Sequence, residues 1–272
     1  MKDNIQSKSN NQVGASVAPD KTKQYIELEK KFIEQVDKDK DNPKYQLTES
    51  HYIPNPYLTS KPKFVLVALE PNLGALKFKK QIEFLSSFRN FLLHYCSFKF
   101  LCSGKFDYHF TDISKSAMAS KEANVKGIRK DIYQNWLPLL KEELQILSDT
   151  EQPKVISIGN AAKGYLENGK EPIEVFFNVL HYGNNNDGRF KKYFEEHFIN
   201  ETQYFDKLFN EVKNFAIHLM EYLNFTEEEK QDRFSADFGM FDVSKLTVRQ
   251  KQQLIYRYLY FKSEFEIIAL NK

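Results

Sequence analysis

Lys63-Phe64-Val65-Leu66-Val67-Ala68-Leu69 runs directly into Glu70-Pro71-Asn72-Leu73-Gly74. The run is short, apolar on both faces and closed by a proline. That is the pattern of a central strand in a parallel sheet covered by helices on both sides. Polar residues just past the carboxyl ends of such strands are where an open α/β sheet builds its site.

Three more segments repeat the arrangement. Phe106-Asp107-Tyr108-His109-Phe110 leads into Thr111-Asp112-Ile113-Ser114-Lys115. Pro153-Lys154-Val155-Ile156-Ser157-Ile158 leads into Gly159-Asn160-Ala161-Ala162. Glu174-Val175-Phe176-Phe177-Asn178-Val179-Leu180 leads into His181-Tyr182-Gly183-Asn184. Strands are expected at about 63–69, 106–111, 154–158 and 174–180. A helix is expected through Ile82, Phe84, Leu85, Phe88, Phe91 and Leu92. A second is expected over 128–147, with Ile132, Trp136, Leu139, Leu140 and Leu144 inward and Pro138 kinking or splitting it. This β–α alternation predicts a three-layer α/β/α fold with a mostly parallel four-stranded central sheet.

Outside this stretch the chain changes character. Residues 1–22 are rich in Asn, Ser, Lys and Gln and read as a disordered tail. Tyr25, Leu28, Phe32 and Val36 then step along one helical face, stopped by a charged run and Pro43. The stretch 44–62 is turn-rich, with Pro54, Pro56 and Pro62. The α/β domain is expected over 23–204 and a helical C-terminal extension, packed on the core, over 205–272. In the extension Tyr204, Leu208, Val212, Phe215, Leu219 and Leu223 share a face, and Thr226 with Glu229 and Thr247 with Gln250 form capping-box patterns.

With 272 residues, 41% hydrophobic and 28% charged, the chain can bury a real core. A net charge of +2 excludes a polycation, so any nucleic-acid surface must be local. Aromatic residues make up 15%, which suits a thick core and also stacking on bases. Cys96 and Cys102 fit reduced structural thiols in the cytoplasm rather than zinc ligands. No histidine pair has metal-ligand spacing, so no metal is expected. Neither an apolar signal-peptide core nor a bilayer-length apolar run is present, and no membrane partner is expected. Phosphate-loop, dinucleotide and nucleophile-elbow motifs are missing, so no organic cofactor is expected.

Three strand ends carry candidate chemistry. Glu70 would project a carboxylate into the crevice, or cap the next helix. Asp112 would do the same from the second strand, or serve as an N-cap, with Lys115 as a phosphate contact or a solvated lysine. His181 opens a Gly/Asn-rich loop where an imidazole can donate to a developing anion.

In order and spacing these segments resemble the uracil-DNA glycosylase superfamily over about residues 55–190. Val65–Asn72 is similar to its first motif and Thr111–Lys115 to its second strand end; Pro153–Ala162 is similar to its third strand and helix start, and Leu180–Gly183 to its histidine loop. The resemblance implies a cofactor-independent hydrolase that flips a base out of DNA and cleaves its N-glycosidic bond. The alternative is a non-catalytic relative that binds nucleic acid or nucleotides. The resemblance to the family's catalytic members would make Glu70 the group that positions water and stabilises a cationic sugar, and His181 a donor to the departing base's oxygen. Asp112, Asn72, Tyr182 and a stacking ring, Phe84 or Phe88, would hold the base. Lys115, Gly183, Asn184 and Arg189 would meet single- or double-stranded DNA, as would basic residues such as Lys79, Lys80, Arg129 and Lys130 after the strand-end loops.

Three features depart from the family pattern. Asp112 stands where the family usually has an asparagine that reads uracil. An ionised carboxylate only accepts hydrogen bonds, so Asp112 suits a base with an amino group or must be protonated to read uracil. Tyr182-Gly183 replaces a Pro-Ser pair, and Leu69 replaces a small or polar residue.

Overall fold

The structure, a computed structural model, describes residues 19–119, 127–148, 151–183, 187–193, 201–235 and 241–271. Four parallel strands form the central sheet: β2 (Phe64–Ala68), β3 (Tyr108–Asp112), β5 (Lys154–Ile158) and β6 (Phe177–Val179), in the order β3-β2-β5-β6. Two short strands, β1 (Ser50–Tyr52) and β4 (Ser116–Met118), pair antiparallel beside it. The helices among the described residues are α1 (Pro19–Asp41), α2 (Phe88–Cys96), α3 (Ile128–Leu147), α4 (Asn160–Glu167), α5 (Asp187–Tyr193), α6 (Glu201–Tyr222), α7 (Glu227–Phe234) and α8 (Val248–Leu270).

Strand alternation divides the apolar core in two. Phe64, Leu66 and Ala68 of β2, with Tyr108, Phe110, Ile156, Ile158 and Val179, face the layer of α2, α6 and α8. Val65, Val67 and Val155 face the layer of α1, α3 and α4, where Phe32, Trp136 and Leu166 are buried. The sheet therefore has helices on both faces, as the unbroken apolar runs require.

That partition corrects several expectations. The C-terminal helices α6 and α8 pack on the sheet and supply much of one layer. The helix expected from Ile82 begins only at Phe88, capped by Ser87. Ahead of it lies a 3₁₀ turn, Leu73–Lys77, and then irregular chain in which Phe84 holds a positive φ of 58°. α3 passes through Pro138 as one helix; Pro138 lies on its exposed face, where the ring displaces no core side chain. α1 begins at Pro19, inside the expected tail, and residues 1–18 lie outside the described residues. The β1–β4 pair was not foreseen in the turn-rich stretch. Thr226 and Thr247 form both expected capping boxes.

The chain leaves β2 across one face of the sheet towards β3, and leaves β5 across the other towards β6. The two connections diverge between the neighbouring strands β2 and β5, and the carboxyl edge at such a switch point is where open α/β sheets place their sites. Among the described residues no helix is long and apolar enough to cross a membrane.

Candidate functional site

Glu70 follows β2 by two residues and is held on two sides. Arg129 Nη2 donates to its Oε1 at 2.5 Å, and the Tyr133 hydroxyl donates to its Oε2. Both partners come from the first turns of α3, so the carboxylate is held in one orientation at the carboxyl edge of the sheet. Pro71 stiffens the turn, and Asn72 Oδ1 accepts from the Gly74 amide at 2.7 Å, which caps the 3₁₀ turn.

Asp112 is the last residue of β3 and is 1% exposed. The Asn55 side-chain amide lies against the Thr111 hydroxyl and the Asp112 carboxyl, each at 3.1 Å; in the amide orientation that satisfies both of its ends, the nitrogen donates to Asp112 Oδ2 and the oxygen accepts from the Asp112 N–H at 3.3 Å. Burial raises the Asp112 carboxyl well above the usual carboxylate range, and the nearby charge of Glu83 adds to the rise; Lys115 opposes it. Burial thus favours the acid form of Asp112, and in that form a carboxyl can donate as well as accept.

Glu83 is a group the sequence reading did not select. It lies in the irregular chain before α2, is 2% exposed, and accepts the Asn72 amide at Oε2, 3.2 Å away. Burial pushes it up to about 7, against the pull of its backbone donors and Arg233. Its sequence signal is a lone carboxylate inside the apolar run Ile82-Glu83-Phe84-Leu85.

His181 follows β6 and is partly buried. Its Nδ1 accepts from the Gly183 amide at 3.0 Å, and its ring stacks on Tyr182 with centroids 4.5 Å apart. Burial lowers its proton affinity, so the ring is neutral and its single proton resides on Nε2. Gly159, at φ +97°, lies beneath it: a Cβ there would come within 3.2 Å of the His181 Cβ. The Tyr182 hydroxyl bonds to Asn90 and lies within electrostatic reach of both Glu83 and Asp112; burial, then these charges, raise its proton affinity.

Glu70, Asn72, Asp112, Tyr182 and His181 thus gather along one edge, joined by Glu83 and Asn55. The other expected contacts are placed differently. Phe84 is buried between Phe110, stacked at 5.0 Å, and Tyr182, edge-on at 6.3 Å. Phe88 stacks at 5.1 Å on Phe209, in the layer of the C-terminal helices. It serves the core, so the expectation of a base platform at Phe88 is corrected.

Lys115 is also core. It donates to the Asp112 carbonyl at 2.6 Å, to Glu143 Oε2 at 2.9 Å and to the Thr111 hydroxyl. At 1% exposure its ammonium is aimed inward rather than at a phosphate. Glu143 Oε1 takes Tyr25 at 2.9 Å and His109 at 3.1 Å, completing a polar knot between the sheet and α3. Lys79 pairs with Glu228, Lys80 is buried against the Leu223 carbonyl at 3.2 Å, and Arg129 is on Glu70. Arg189 is exposed on α5, Gly183 serves His181, and Asn184 lies outside the described residues.

Among the described residues no group of His, Cys, Asp and Glu is arranged to hold a metal ion. Comparison with protein-family models, curated proteins and solved structures yields no match.

Proposed function

We propose that the chain is a nucleic-acid base-excising hydrolase, which cleaves the N-glycosidic bond of a flipped uracil-like or otherwise modified base. The observation that carries this reading is the place of Asp112, buried at the end of β3 against the Asn55 side-chain amide, where burial favours its acid form. A protonated carboxyl with one oxygen already taking Asn55 presents O–H and C=O side by side, as an amide presents N–H and C=O. It can donate to a base carbonyl and accept from the adjacent ring N–H. The substitution of Asp for the family's Asn then preserves the hydrogen-bonding pattern.

Two further features support the reading. A neutral imidazole with its proton on Nε2 can donate to the carbonyl oxygen of a leaving base, which gains negative charge as the bond breaks. Glu70, fixed by Arg129 and Tyr133, supplies a carboxylate towards an oxocarbenium-like sugar and its attacking water. Arg189, exposed on α5 after the histidine loop, would be the cation for a DNA phosphate in this reading.

One observation favours the second reading, a non-catalytic binder of nucleic acid or nucleotides. Both Glu70 oxygens already have donors, and the guanidinium offsets the charge a cationic sugar would need. A single assay separates the two. Oligonucleotides containing uracil, hypoxanthine or xanthine are incubated with the protein and then treated with alkali. Strand breaks that disappear in a folded Glu70→Gln variant are expected for the hydrolase. Salt-sensitive DNA binding without breaks identifies the binder, and neither breaks nor binding overturns both.

A further inference from the structure

An open cleft of about 690 Å³ lies where the chain leaving α1 and the chain leaving α4 meet the first turns of α3. Its walls are tied to one another. Asn135 Nδ2 donates to the Tyr45 hydroxyl at 3.1 Å, Lys44 pairs with Asp131, and the Lys170 backbone N–H donates to Gln134 Oε1 at 3.0 Å. Gly169 lets the chain after α4 come this close, since a Cβ there would meet Leu137 Cδ1 at 2.4 Å.

The cleft carries surplus positive charge. Lys44, Lys130 and Lys170 line it, against the single lining carboxylate Asp131. The bond from Lys44 holds Asp131 below the usual carboxylate range, and Lys130 and Lys170 act on it in the same direction by charge. All three lysines therefore lie within electrostatic reach of one acid, which Lys44 already occupies. The next acid along the chain, Glu171, pairs with Lys141 at 3.2 Å instead. Lys130 and Lys170 are exposed and have no ion-pair partner among the described residues. The rest of the lining is mostly amide. The Tyr45 ring is 4% exposed, so it offers no open face on which a base could stack. Cations and amide donors without an open ring suit phosphate oxygens rather than bases.

The same turns of α3 serve the carboxyl edge. Arg129 and Tyr133 hold Glu70, and Lys130 and Gln134, each one residue further on, line the cleft. One residue is a rotation of about 100° around a helix, so the two sites occupy adjoining faces of one helix end. At the edge itself the candidate cations are already engaged, Lys115 with Glu143, Lys79 with Glu228 and Arg129 with Glu70.

We propose that this cleft is a phosphate-binding track for the backbone of a nucleic-acid strand, one of whose bases enters the carboxyl edge on the other face of α3. The proposal rests on the reading of that edge as a base-binding site. Lys130 and Lys170 meet the phosphates, and the amides around them fix the strand without reading its sequence.

The test needs no excision. A fluorescein-labelled oligothymidylate, which has no base to remove, is titrated with the protein at a series of salt concentrations, and anisotropy reports binding. In the Lys130→Gln/Lys170→Gln double variant the affinity is expected to fall about tenfold at low salt, and the slope of log K on log salt to shrink by about one unit, because two phosphate contacts contribute roughly 0.7 each. Asp131→Asn removes the opposing charge and releases Lys44, so it is expected to tighten binding several-fold. An intact protein that does not bind the oligonucleotide overturns the proposal, as does an unchanged affinity and slope in the double variant. Weaker binding in Asp131→Asn also overturns it, since loss of a merely structural ion pair would act that way. Displacement of the oligonucleotide by thymidine triphosphate or inorganic pyrophosphate at equal concentration overturns the strand as occupant and assigns the cleft to a small phosphate. Base release from uracil-containing DNA is read separately. A protein that binds through the cleft and releases no base loses the hydrolase reading and keeps the track. A protein that releases base with the same KM in the double variant keeps the hydrolase reading and loses the track.

Discussion

Arg129 Nη2 and Glu70 Oε1 lie 2.5 Å apart although 59 residues separate them in the chain. The pair joins the carboxyl end of β2 to the start of α3, and it sits at a partly covered place: the Glu70 side chain is 16% exposed and the Arg129 side chain 32%. A charge-assisted hydrogen bond so placed contributes more than a surface ion pair and less than a buried one. Arg129→Met is expected to lower the unfolding free energy by about 1–2 kcal/mol, measured by urea denaturation. On the proposed function, the same change is expected to reduce kcat for base release by about tenfold, because Glu70 loses one of the two donors that orient it. Full stability and full activity in Arg129→Met would show that the pair holds nothing in place.

Gly159 gives the second prediction. Its φ of +97° with ψ of 148° is a backbone state open to glycine and costly for every other residue, and a Cβ would press on the Cβ of His181 at 3.2 Å. Gly159→Ala is expected to destabilise the protein by about 1–3 kcal/mol and to shift the His181 imidazole resonances, read by ¹H–¹⁵N NMR. Unchanged His181 signals in a folded Gly159→Ala protein would mean that the loop is not seated on β5.

These two places also show how far the sequence could be read. The strands β2 and β5 were legible because apolar runs with abrupt polar ends have few other solutions. Glu70, Asp112 and His181 were legible because they stand at such ends. Glu83 was not, since the apolar residues around it match a helical period and nothing local reports the positive φ at Phe84 that breaks it. Asn55 was hidden between two prolines, whose turn chemistry says nothing about the strand end it reaches. Lys115 misled because a lysine just past a strand end reads as a phosphate contact. Its true partner, Glu143, lies 28 residues later on the apolar face of α3. Periodicity revealed the C-terminal helices but not which face of the sheet they cover, because that is decided by tertiary packing.

The knot around Glu143 carries a pH signature. Burial by itself would raise this carboxyl, but Lys115 and His109, by charge and hydrogen bond, bring it down to about 2 from an ordinary 4.5. Glu143 therefore binds its proton less readily when folded. Its contribution to stability is complete above about 4.5 and is lost as the pH falls towards about 2. Glu143→Ala is expected to cost about 3–5 kcal/mol at neutral pH, because it leaves the Lys115 ammonium buried and unpaired. The difference in unfolding free energy between the intact protein and a folded Glu143→Gln variant is expected to shrink across this acid window. A difference that stays constant from pH 6 to pH 3 (roughly, the accessible range for such titrations) would mean that Glu143 has the same proton affinity folded and unfolded.

Tyr260 tests whether α8 helps to build the edge. Its hydroxyl accepts the Leu180 amide at 2.9 Å, one residue before His181, and its ring packs on Phe190 with centroids 5.2 Å apart. The hydrogen bond anchors β6 at the point where the strand turns into the histidine loop. Tyr260→Phe keeps the ring and removes the hydroxyl that accepts the Leu180 N–H in a partly buried position. The expected loss is about 1–2 kcal/mol of stability. The sharper readout is local: the Leu180 amide is expected to exchange with deuterium much faster in the variant, while amides at the centre of β2 keep their protection. Equal loss of protection at both places would mean that Tyr260 stabilises the whole fold rather than the loop. Unchanged exchange at Leu180 would mean that the histidine loop is held by Gly159 and Gly183 alone, without help from the C-terminal helix.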